Sequence, residues 1–307
     1  MIETDSPYFL APMAGYTDKP FRYICKKFGA GLTVSELISV NAIYYKNKKT
    51  LKLLEKNDIE KPFCIQLFGS DADIFLYAAQ SVEDKCDCID INAGCPVSKV
   101  VKTFAGSYLL KDKNRLLAIV DKLKKHIKKP VSVKLRKGFD ENSINSMDFY
   151  KELENSGVDF ITIHPRLRGQ FFKGEVDYEH AARVVDTLKI DVVINGGIDS
   201  LDKLDKVKEI TKAKYFMIGQ AAIDKPYIFK EFIKEKEMQK DAKFIKELAK
   251  EHFLLMVAYY GEYLAIRNFR KFFHRYAKGF RFAKQLNKEI NECLKKEKVL
   301  TVIDKLD

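Results

Sequence analysis

Short runs of β-branched and apolar residues recur along the first three quarters of the chain, and longer amphipathic stretches separate them. In the stretch 113–125, for example, Leu116, Val120 and Leu123 fall on one helical face. The runs have the length of buried strands, and they occupy residues 8–11, 32–34, 63–67, 88–91, 131–135, 160–163, 192–194 and 215–218. Eight strands that alternate with helices predict an α/β fold of the (β/α)8 TIM-barrel type, with a doubly wound open sheet as the alternative.

The pattern changes after a stretch dense in lysine and glutamate that ends at residue 237. No strand pattern follows it. Long segments with helical periodicity are predicted instead, at residues 244–260, 264–278 and 282–295. We therefore predict a barrel domain over residues 1–237 and a small, all-helical domain over residues 238–307.

Composition narrows the class of protein. The hydrophobic share of 46% and the charged share of 32% are typical of a globular protein, and no apolar run approaches the roughly 20 residues of a membrane span. The acidic first residues lead directly into the first strand pattern, so we expect no secretory signal and a cytoplasmic protein. In that compartment the six cysteines are expected to be thiols, and the protein is expected to be a monomer.

The net charge of +12 indicates a polyanionic partner only if the charge is concentrated somewhere. Residues 241–307 contain fifteen Lys and Arg against nine Asp and Glu, which places half of the net charge in less than a quarter of the chain. The C-terminal segment is therefore the basic part of the protein.

Amides, cations, glycines and one thiol follow the predicted strands, with few carboxylates among them. The active site of a TIM barrel lies at the C-terminal ends of its strands, so these side chains should face one pocket. They are Pro12, Met13, Ala14, Gln66, Asn92, Cys95, Lys134, Arg136, His164, Arg166, Asn195, Gly196, Gly197, Gly219 and Gln220. This set suits a planar, anionic, hydrogen-bonding ligand better than a metal ion.

The glycines after strands seven and eight lie where barrels usually bind phosphate, because bare backbone N–H groups can approach the oxygens. Flavin mononucleotide (FMN) fits this arrangement, with its phosphate at Gly196, Gly197, Gly219 and Gln220. Its ring edge would contact Gln66 and Lys134, and the lysine would stabilise negative charge on the reduced ring. The alternative is that these glycines only form tight turns.

One cysteine differs from the others in its surroundings. Cys95 follows a strand and stands between glycine and proline, which predicts an exposed turn, whereas Cys25, Cys64 and Cys293 are expected to be buried. The spacing of Cys86 and Cys88 lacks a second pair, so we reject a zinc site. His164 is expected to face the barrel mouth as a flavin or phosphate contact.

These residues fall in motifs that together resemble the tRNA-dihydrouridine synthases, and the basic segment 267–279 resembles the tRNA-binding domain of the bacterial B-type subgroup of that family. The motifs occur in order along the whole barrel, at residues 11–18, 20–22, 90–96, 133–136, 163–166, 195–198 and 217–219. The Asn-x-Gly-Cys-Pro segment that contains Cys95 is highly specific to that family.

The resemblance implies FMN as prosthetic group and NADPH (or NADH) as reductant. A hydride would pass from the reduced flavin to the uracil ring while Cys95 protonates the neighbouring carbon, and a thiol of pKa about 8.5 is mostly protonated at neutral pH. Asn92, Arg136 and Arg166 are implied to bind the substrate base or its neighbours. The resemblance implies that FMN is held by Pro12, Met13, Ala14, Gln66, Lys134, His164, Asn195, Gly196, Gly197, Gly219 and Gln220.

Three positions depart from the family pattern. Ala93 stands in place of the usual methionine, Gly197 in place of an acidic residue and Gln220 in place of an arginine. The last departure replaces a charged fork by a neutral amide, which weakens the predicted phosphate site.

Residues 263–288 contain eight Lys and Arg and no Asp or Glu. On a helical wheel Ile266, Phe269, Phe272, Phe273 and Tyr276 share one side. The other side is basic and contains Arg267, Arg270, Lys271, His274 and Lys278. We expect the aromatic face to pack and the basic face to stay free for tRNA phosphates, although a solvated charged face is the ordinary alternative.

Two other functions remain open from the sequence. A flavin-dependent dihydroorotate or dihydropyrimidine dehydrogenase would act on a free base and would not need the basic tail. A catalytically silent RNA-binding barrel would purify without colour. The favoured hypothesis predicts tRNA as the partner and neither a membrane nor a metal.

Overall fold

The structure is a computed structural model and describes residues 2–307. Its sheet contains nine parallel strands: β1 (Tyr8–Leu10), β2 (Leu32–Val34), β3 (Ile38–Ser39), β4 (Phe63–Phe68), β5 (Cys88–Ala93), β6 (Val131–Gly138), β7 (Phe160–Leu167), β8 (Asp191–Asn195) and β9 (Tyr215–Ile218). The strand order is β2-β1-β9-β8-β7-β6-β5-β4-β3, and β2 also pairs with β4, so eight strands form a closed barrel. The predicted TIM barrel is confirmed and the open sheet is wrong. The two-residue β3, which the sequence pattern missed, extends the end of β4.

Eleven helices accompany the barrel: α1 (Lys19–Lys27), α2 (Val40–Tyr44), α3 (Lys48–Lys52), α4 (Ala72–Val82), α5 (Ser98–Val101), α6 (Lys113–His126), α7 (Met147–Asn155), α8 (Tyr178–Thr187), α9 (Leu201–Thr211), α10 (Gln220–Asp224) and α11 (Ile228–Lys234). Most begin after a side chain that accepts a backbone N–H of the first turn, as Asp71, Asp112, Ser146 and Ser200 do. No helix within residues 2–307 has both the length and the apolar character to span a membrane.

The barrel interior changes from apolar to polar along the strands. Alternate residues point inward, and at the N-terminal ends these include Phe9, Leu32, Cys64, Cys88 and Phe160, which form a cluster separate from the outer core. Further along the same strands the inward positions become polar. Paired strands place neighbours there, as for Gln66 with Asp90, Asn92 with Lys134 and Arg136 with His164. The chemistry-bearing residues therefore converge at the C-terminal mouth.

The C-terminal region is helical, as predicted, and contains α12 (Ala242–Tyr260), α13 (Glu262–Tyr276), α14 (Ala283–Glu292) and α15 (Lys296–Asp304). The boundary predicted near residue 238 falls between α11 and α12. An aromatic cluster joins this region to α1 of the barrel: the ring centroid of Phe272 lies 5.2 Å from that of Phe21 and 4.5 Å from that of His252. All three rings are buried, so they fix α12 and α13 against the barrel.

Candidate active site

A cavity of about 640 Å³ opens at the C-terminal ends of the strands. It has the size of a small-molecule site. Fourteen of the predicted site residues line it: Pro12, Met13, Ala14, Asn92, Cys95, Lys134, Arg136, His164, Arg166, Asn195, Gly196, Gly197, Gly219 and Gln220. Gln66 does not line the cavity, and neither do the predicted RNA-binding residues of α13, although Arg275 of that helix does.

Buried hydrogen bonds beneath the cavity fix its floor. The Gln66 Nε2 donates to Asp90 Oδ2 over 2.5 Å, and the Gln66 Oε1 accepts from Asn92 Nδ2 over 2.8 Å. The second Asp90 oxygen accepts from Ser132 Oγ over 2.6 Å. Gln66 thus holds the Asn92 side chain from below, and Asp90 and Ser132 complete a support that the sequence analysis did not identify.

Asn92 in turn orders the loop that contains the thiol. Its Oδ1 accepts hydrogen bonds from the backbone N–H groups of Gly94 (3.2 Å) and Cys95 (2.9 Å). The backbone N–H of Ser107 donates to the Cys95 carbonyl oxygen over 3.1 Å. These bonds hold the backbone on both sides of the thiol and so determine where it lies.

Gly106 packs directly against Cys95 and was missed in the sequence analysis. It has φ +63°, and a Cβ added there would lie 3.0 Å from the Cys95 carbonyl oxygen and 3.1 Å from the Cys95 Cβ. Only glycine combines this backbone conformation with this close approach. The sequence offered no signal for it, because Gly106 belongs to no strand-end motif.

The Cys95 side chain is half-buried, whereas Cys25, Cys64 and Cys293 are buried as predicted. Burial raises the pKa of the Cys95 thiol, and the Val97 backbone N–H and the charges of Arg136 and Lys134 oppose that shift. Burial dominates, so the thiol stays protonated at neutral pH. The two cations lie where they would stabilise a thiolate after proton loss.

Lys134, on β6, also lines the cavity. Its Nζ donates to Asn195 Oδ1 over 2.7 Å, and Asn195 Nδ2 donates to the Met217 carbonyl oxygen over 2.7 Å. Burial lowers the pKa of Lys134, an effect that the charge of Asp90 opposes and that of Arg136 reinforces. An anionic ligand beside Lys134 would hold its ammonium group in the charged form.

Arg136 lines the cavity, but it also ties the surrounding loops together. Three of its five N–H groups donate to backbone carbonyl oxygens, those of Gly94 (3.0 Å), Leu167 (2.8 Å) and Phe171 (2.6 Å). The contact with Gly94 connects it to the loop of Cys95. Its role in substrate binding stays a prediction, to which the structure adds this positioning role.

Two glycines and a histidine line the part of the cavity next to Asn195. Gly196 has φ +111°, and a Cβ there would lie 2.5 Å from the His164 ring; Gly197 has φ +72°, and its Cβ would lie 2.8 Å from the Tyr178 hydroxyl. That hydroxyl donates to the Gly196 carbonyl oxygen over 2.9 Å. The backbone here approaches its neighbours more closely than any side chain would allow.

The charge in this part of the cavity comes from Arg166. Burial lowers the pKa of His164 well below its ordinary value, and the charges of Lys134, Arg136 and Arg166 add to the effect. The neutral ring can then accept at Nε2 from Arg166 Nη1, 3.1 Å away. This pairing groups Arg166 with the predicted phosphate residues.

The chain also matches a known protein family over nearly its whole length. A family model described as Dihydrouridine synthase (Dus) matches residues 9–306 of the chain. The chain belongs to the dihydrouridine synthase family.

Relatives within the family match over most of their own length. The chain is 39% identical to "Probable tRNA-dihydrouridine synthase" of Helicobacter pylori, over 88% of this chain and 83% of that protein. It is 35% identical to "tRNA-dihydrouridine synthase B" of Pseudomonas aeruginosa, over 85% and 81%. Among solved structures, a 2-naphthoyl-CoA reductase complex gives a TM-score of 0.59 at 10% identity, over 75% of this chain and 50% of that one, which reflects the barrel fold alone.

In this family member the aromatic face of α13 packs as predicted, and Ile266, Phe269, Phe272, Phe273 and Tyr276 are all buried. The expectation that the whole basic face stays free is wrong for two residues. Arg270 Nη2 donates to the Cys293 carbonyl oxygen over 3.1 Å, and Lys271 Nζ donates to the Gly15 carbonyl oxygen. Helical periodicity cannot reveal this, because both acceptors belong to other elements.

The remaining predicted RNA-binding residues, Arg267 and His274 on α13 and Lys278 just after it, differ in their surroundings. Arg267 is exposed, and its Nη1 donates to the Tyr263 hydroxyl over 3.2 Å. Lys278 has 74% of its side chain exposed and lies 4.0 Å from Asp224. His274 Nε2 is buried without a hydrogen-bond partner among residues 2–307. Arg267 and Lys278 are therefore the two predicted RNA ligands that remain accessible.

Proposed function

We propose that the protein is an FMN-dependent tRNA-dihydrouridine synthase. It uses NADPH (or NADH) to reduce the C5–C6 double bond of a D-loop uridine in cytoplasmic tRNA, with Cys95 as the general acid. The observation that carries the proposal is that one cavity in a member of this family brings together the Cys95 thiol, Lys134 and a glycine-lined surface beside Arg166.

The glycine-lined part of the cavity suits the phosphate of FMN. A Cβ added at Gly219 would meet only two side-chain atoms, one of Ala11 at 3.6 Å and one of Met13 at 3.7 Å. The backbone of Gly219 is therefore not crowded by other backbone atoms. Arg166 Nη1 lies 3.6 Å from the position that a Cβ added at Gly196 would occupy. We propose that this guanidinium provides the positive charge that Gln220 lacks, beside backbone N–H groups of Gly196, Gly197 and Gln220.

Other residues of the same cavity suit the flavin ring. When bound, FMN would supply the hydride for the reduction. Lys134, oriented by Asn195, provides positive charge beside the reduced ring, and Pro12, Met13 and Ala14 provide the wall. Gln66 is proposed to act indirectly, by holding Asn92 in place.

Cys95 would donate its proton to the uracil carbon next to the one that receives the hydride. The thiolate left behind would be stabilised by the Val97 N–H and by the charges of Arg136 and Lys134, and it would regain its proton from water. Asn92 keeps the thiol in position throughout, because its Oδ1 accepts from the Cys95 backbone. The chain thus supplies both the proton and the stabilisation that its departure requires.

Mass spectrometry of tRNA tests the proposed activity. Dihydrouridine should be missing from tRNA of a strain that lacks the gene, and the purified protein should restore it in the presence of a nicotinamide donor. A yellow protein that oxidises dihydroorotate or reduces free pyrimidines, and that leaves tRNA unchanged, would favour the free-base dehydrogenase instead. A colourless protein would favour the silent RNA-binding barrel.

Gly106→Ala should impair the reaction without removing the thiol. The added methyl group would lie 2.9 Å from Val100 Cγ1 and 3.0 Å from the Cys95 carbonyl oxygen, so the Cys95 loop should shift by a few tenths of an ångström. A misplacement of about 1 Å at a reacting group lowers turnover by on the order of 10²-fold, so a smaller but measurable loss is expected. The measurement is dihydrouridine formed per enzyme under saturating tRNA. Gly157→Ala is the matched control, since Gly157 also has a positive φ (+87°) but its Cβ would meet only the Lys124 side chain at 3.6 Å. Equal activity of the two variants would contradict the role of Gly106.

We propose that residues 238–307 bind tRNA through exposed cations of α13 and the residues that follow it. Combined Arg267→Glu and Lys278→Glu should weaken tRNA binding, and the slope of log affinity against log salt should fall by roughly 0.7–0.9 for each phosphate that is no longer bound. Flavin content should not change, because neither side chain lines the cavity. Fluorescence anisotropy over a salt series measures the affinity and the slope, and an unchanged slope would mean that this face is only solvated.

A further inference from the structure

Three exposed tyrosines and three lysines lie together on the outside of the barrel, far along the chain from α13. The exposed fractions of Tyr44, Tyr45 and Tyr77 are 44%, 76% and 40%. Tyr44 contacts both other rings edge to face, with centroid distances of 5.3 Å to Tyr45 and 5.1 Å to Tyr77. With Lys46, Lys48 and Lys49, all exposed, these residues are called here the tyrosine–lysine patch.

The patch has no packing role that explains its rings. α2 and α4 pack through other residues, Val40 and Ile43 on one helix and Phe75, Ala78 and Ala79 on the other, all of them buried. The tyrosines lie on the exposed sides of these helices. Exposed aromatic rings in a cluster mark an interaction surface more often than scattered apolar residues do.

The charge of the patch is uncompensated. Residues 37–54 include four lysines and no Asp or Glu. Within residues 2–307, Lys46, Lys48 and Lys49 form no ion pair, and the nearby carboxylates of Asp73 and Glu55 pair with cations elsewhere, Lys122 and Lys19. A surface with this charge is complementary to a polyanion.

The patch continues toward the RNA-binding face proposed above. The next lysine along the chain, Lys52, donates through Nζ to the Tyr259 carbonyl oxygen over 2.8 Å, and the Tyr259 hydroxyl donates back to the Lys52 carbonyl over 2.7 Å. These bonds join the end of α3 to the junction of α12 and α13. Just beyond that junction lie exposed Tyr263 and Arg267, another pairing of a tyrosine with a cation.

We propose that the tyrosine–lysine patch is a second RNA-contact surface, located on the barrel. Its lysines bind backbone phosphates, and Tyr45, with the most exposed ring, stacks on an unpaired base. Together with Arg267 and Lys278 it holds one tRNA at two separate points. This inference rests on the proposed function for the identity of its RNA, but the surface itself is separate from the catalytic cavity.

Two variants of the patch test the proposal by tRNA binding. Tyr45→Ala should lower affinity roughly tenfold, as the removal of one stacking partner does, with little change in the salt slope. Combined Lys48→Glu and Lys49→Glu should lower the salt slope by roughly 1.4–1.8, the value for two bound phosphates. Both lysines lie in the first turn of α3, where glutamate is favourable, so the helix should persist.

Combined Lys206→Glu and Lys214→Glu is the matched control. It makes the same change in net charge at two exposed lysines, Lys206 in the middle of α9 and Lys214 directly before β9, and neither of them lines the cavity. This control should leave the salt slope near the wild-type value. If the control and the patch variant lower the slope equally, the effect is one of overall charge and the proposal is wrong.

Separate measurements distinguish this proposal from the proposed function. If the wild type binds tRNA and the patch variants bind it more weakly, the patch is supported even when no dihydrouridine forms. If both patch variants form dihydrouridine and bind tRNA with unchanged affinity and salt slope, the proposal for the patch is wrong and the proposed function still stands. Analytical ultracentrifugation provides a further outcome: a wild-type dimer that Tyr45→Ala converts to a monomer would make the patch a contact between two copies of the chain and would also overturn the proposal.

Discussion

Cys95→Ala is expected to keep its flavin and to accept electrons from NADPH, but to reduce dihydrouridine formation by roughly 10²- to 10⁴-fold, the usual effect of removing a general acid. The substitution removes only the thiol. Asn92 and Ser107 bind backbone atoms of residue 95, so the loop should keep its conformation. The measurements are flavin absorbance, the rate of flavin reduction by NADPH, and dihydrouridine formed in a single turnover.

The pH profile provides an independent check on this assignment. An acid acts in its protonated form, so the activity of the wild type should persist at neutral pH and fall as pH rises through the pKa of Cys95. Burial raises that pKa, so the fall should come at higher pH than for an ordinary thiol. Cys293→Ala, at a buried cysteine outside the cavity, is the control and should retain both the rate and the profile. Near-wild-type turnover of Cys95→Ala would rule out its role as the acid.

The barrel could be predicted from sequence because its strands are buried and regularly spaced. Each apolar run had a helix after it, and that alternation predicts a parallel sheet, closed or open. The elements that were missed are short or weakly patterned. β3 has two residues, α3 contains three lysines among its five residues, and α15 is a nine-residue helix with four charged residues.

Most of the cavity could be predicted for a related reason. Strand-end residues of a barrel meet at one mouth, so their positions in sequence were enough to group Cys95, Lys134 and Gly196. Contacts made between distant segments could not be predicted. Gly106 touches Cys95 through a turn with no motif, and Lys271 reaches Gly15 across the interface between helix and barrel. In both cases the partner is determined by packing of the chain, which periodicity does not encode.

Gly196→Leu should abolish flavin retention. A Cβ at this position would lie 2.5 Å from the His164 ring, a distance that real Cβ contacts do not reach, and the leucine side chain would extend further into the cavity. His164 is held by Arg166, so displacing the ring should also disrupt the proposed phosphate charge. We expect the variant to purify without yellow colour.

Backbone strain must be separated from this steric effect, because Gly196 has a positive φ that leucine rarely adopts. Gly261→Leu is the matched control: Gly261 has φ +79°, but nothing lies within 4 Å of its Cβ position. Thermal unfolding and circular dichroism should show that both variants fold, while the ratio of flavin to protein, measured by absorbance after denaturation, should fall to near zero only in Gly196→Leu. A full complement of FMN in that variant would mean that the phosphate does not lie against Gly196. Absence of flavin from both variants would mean that strain in the fold, and not contact with the ligand, controls retention.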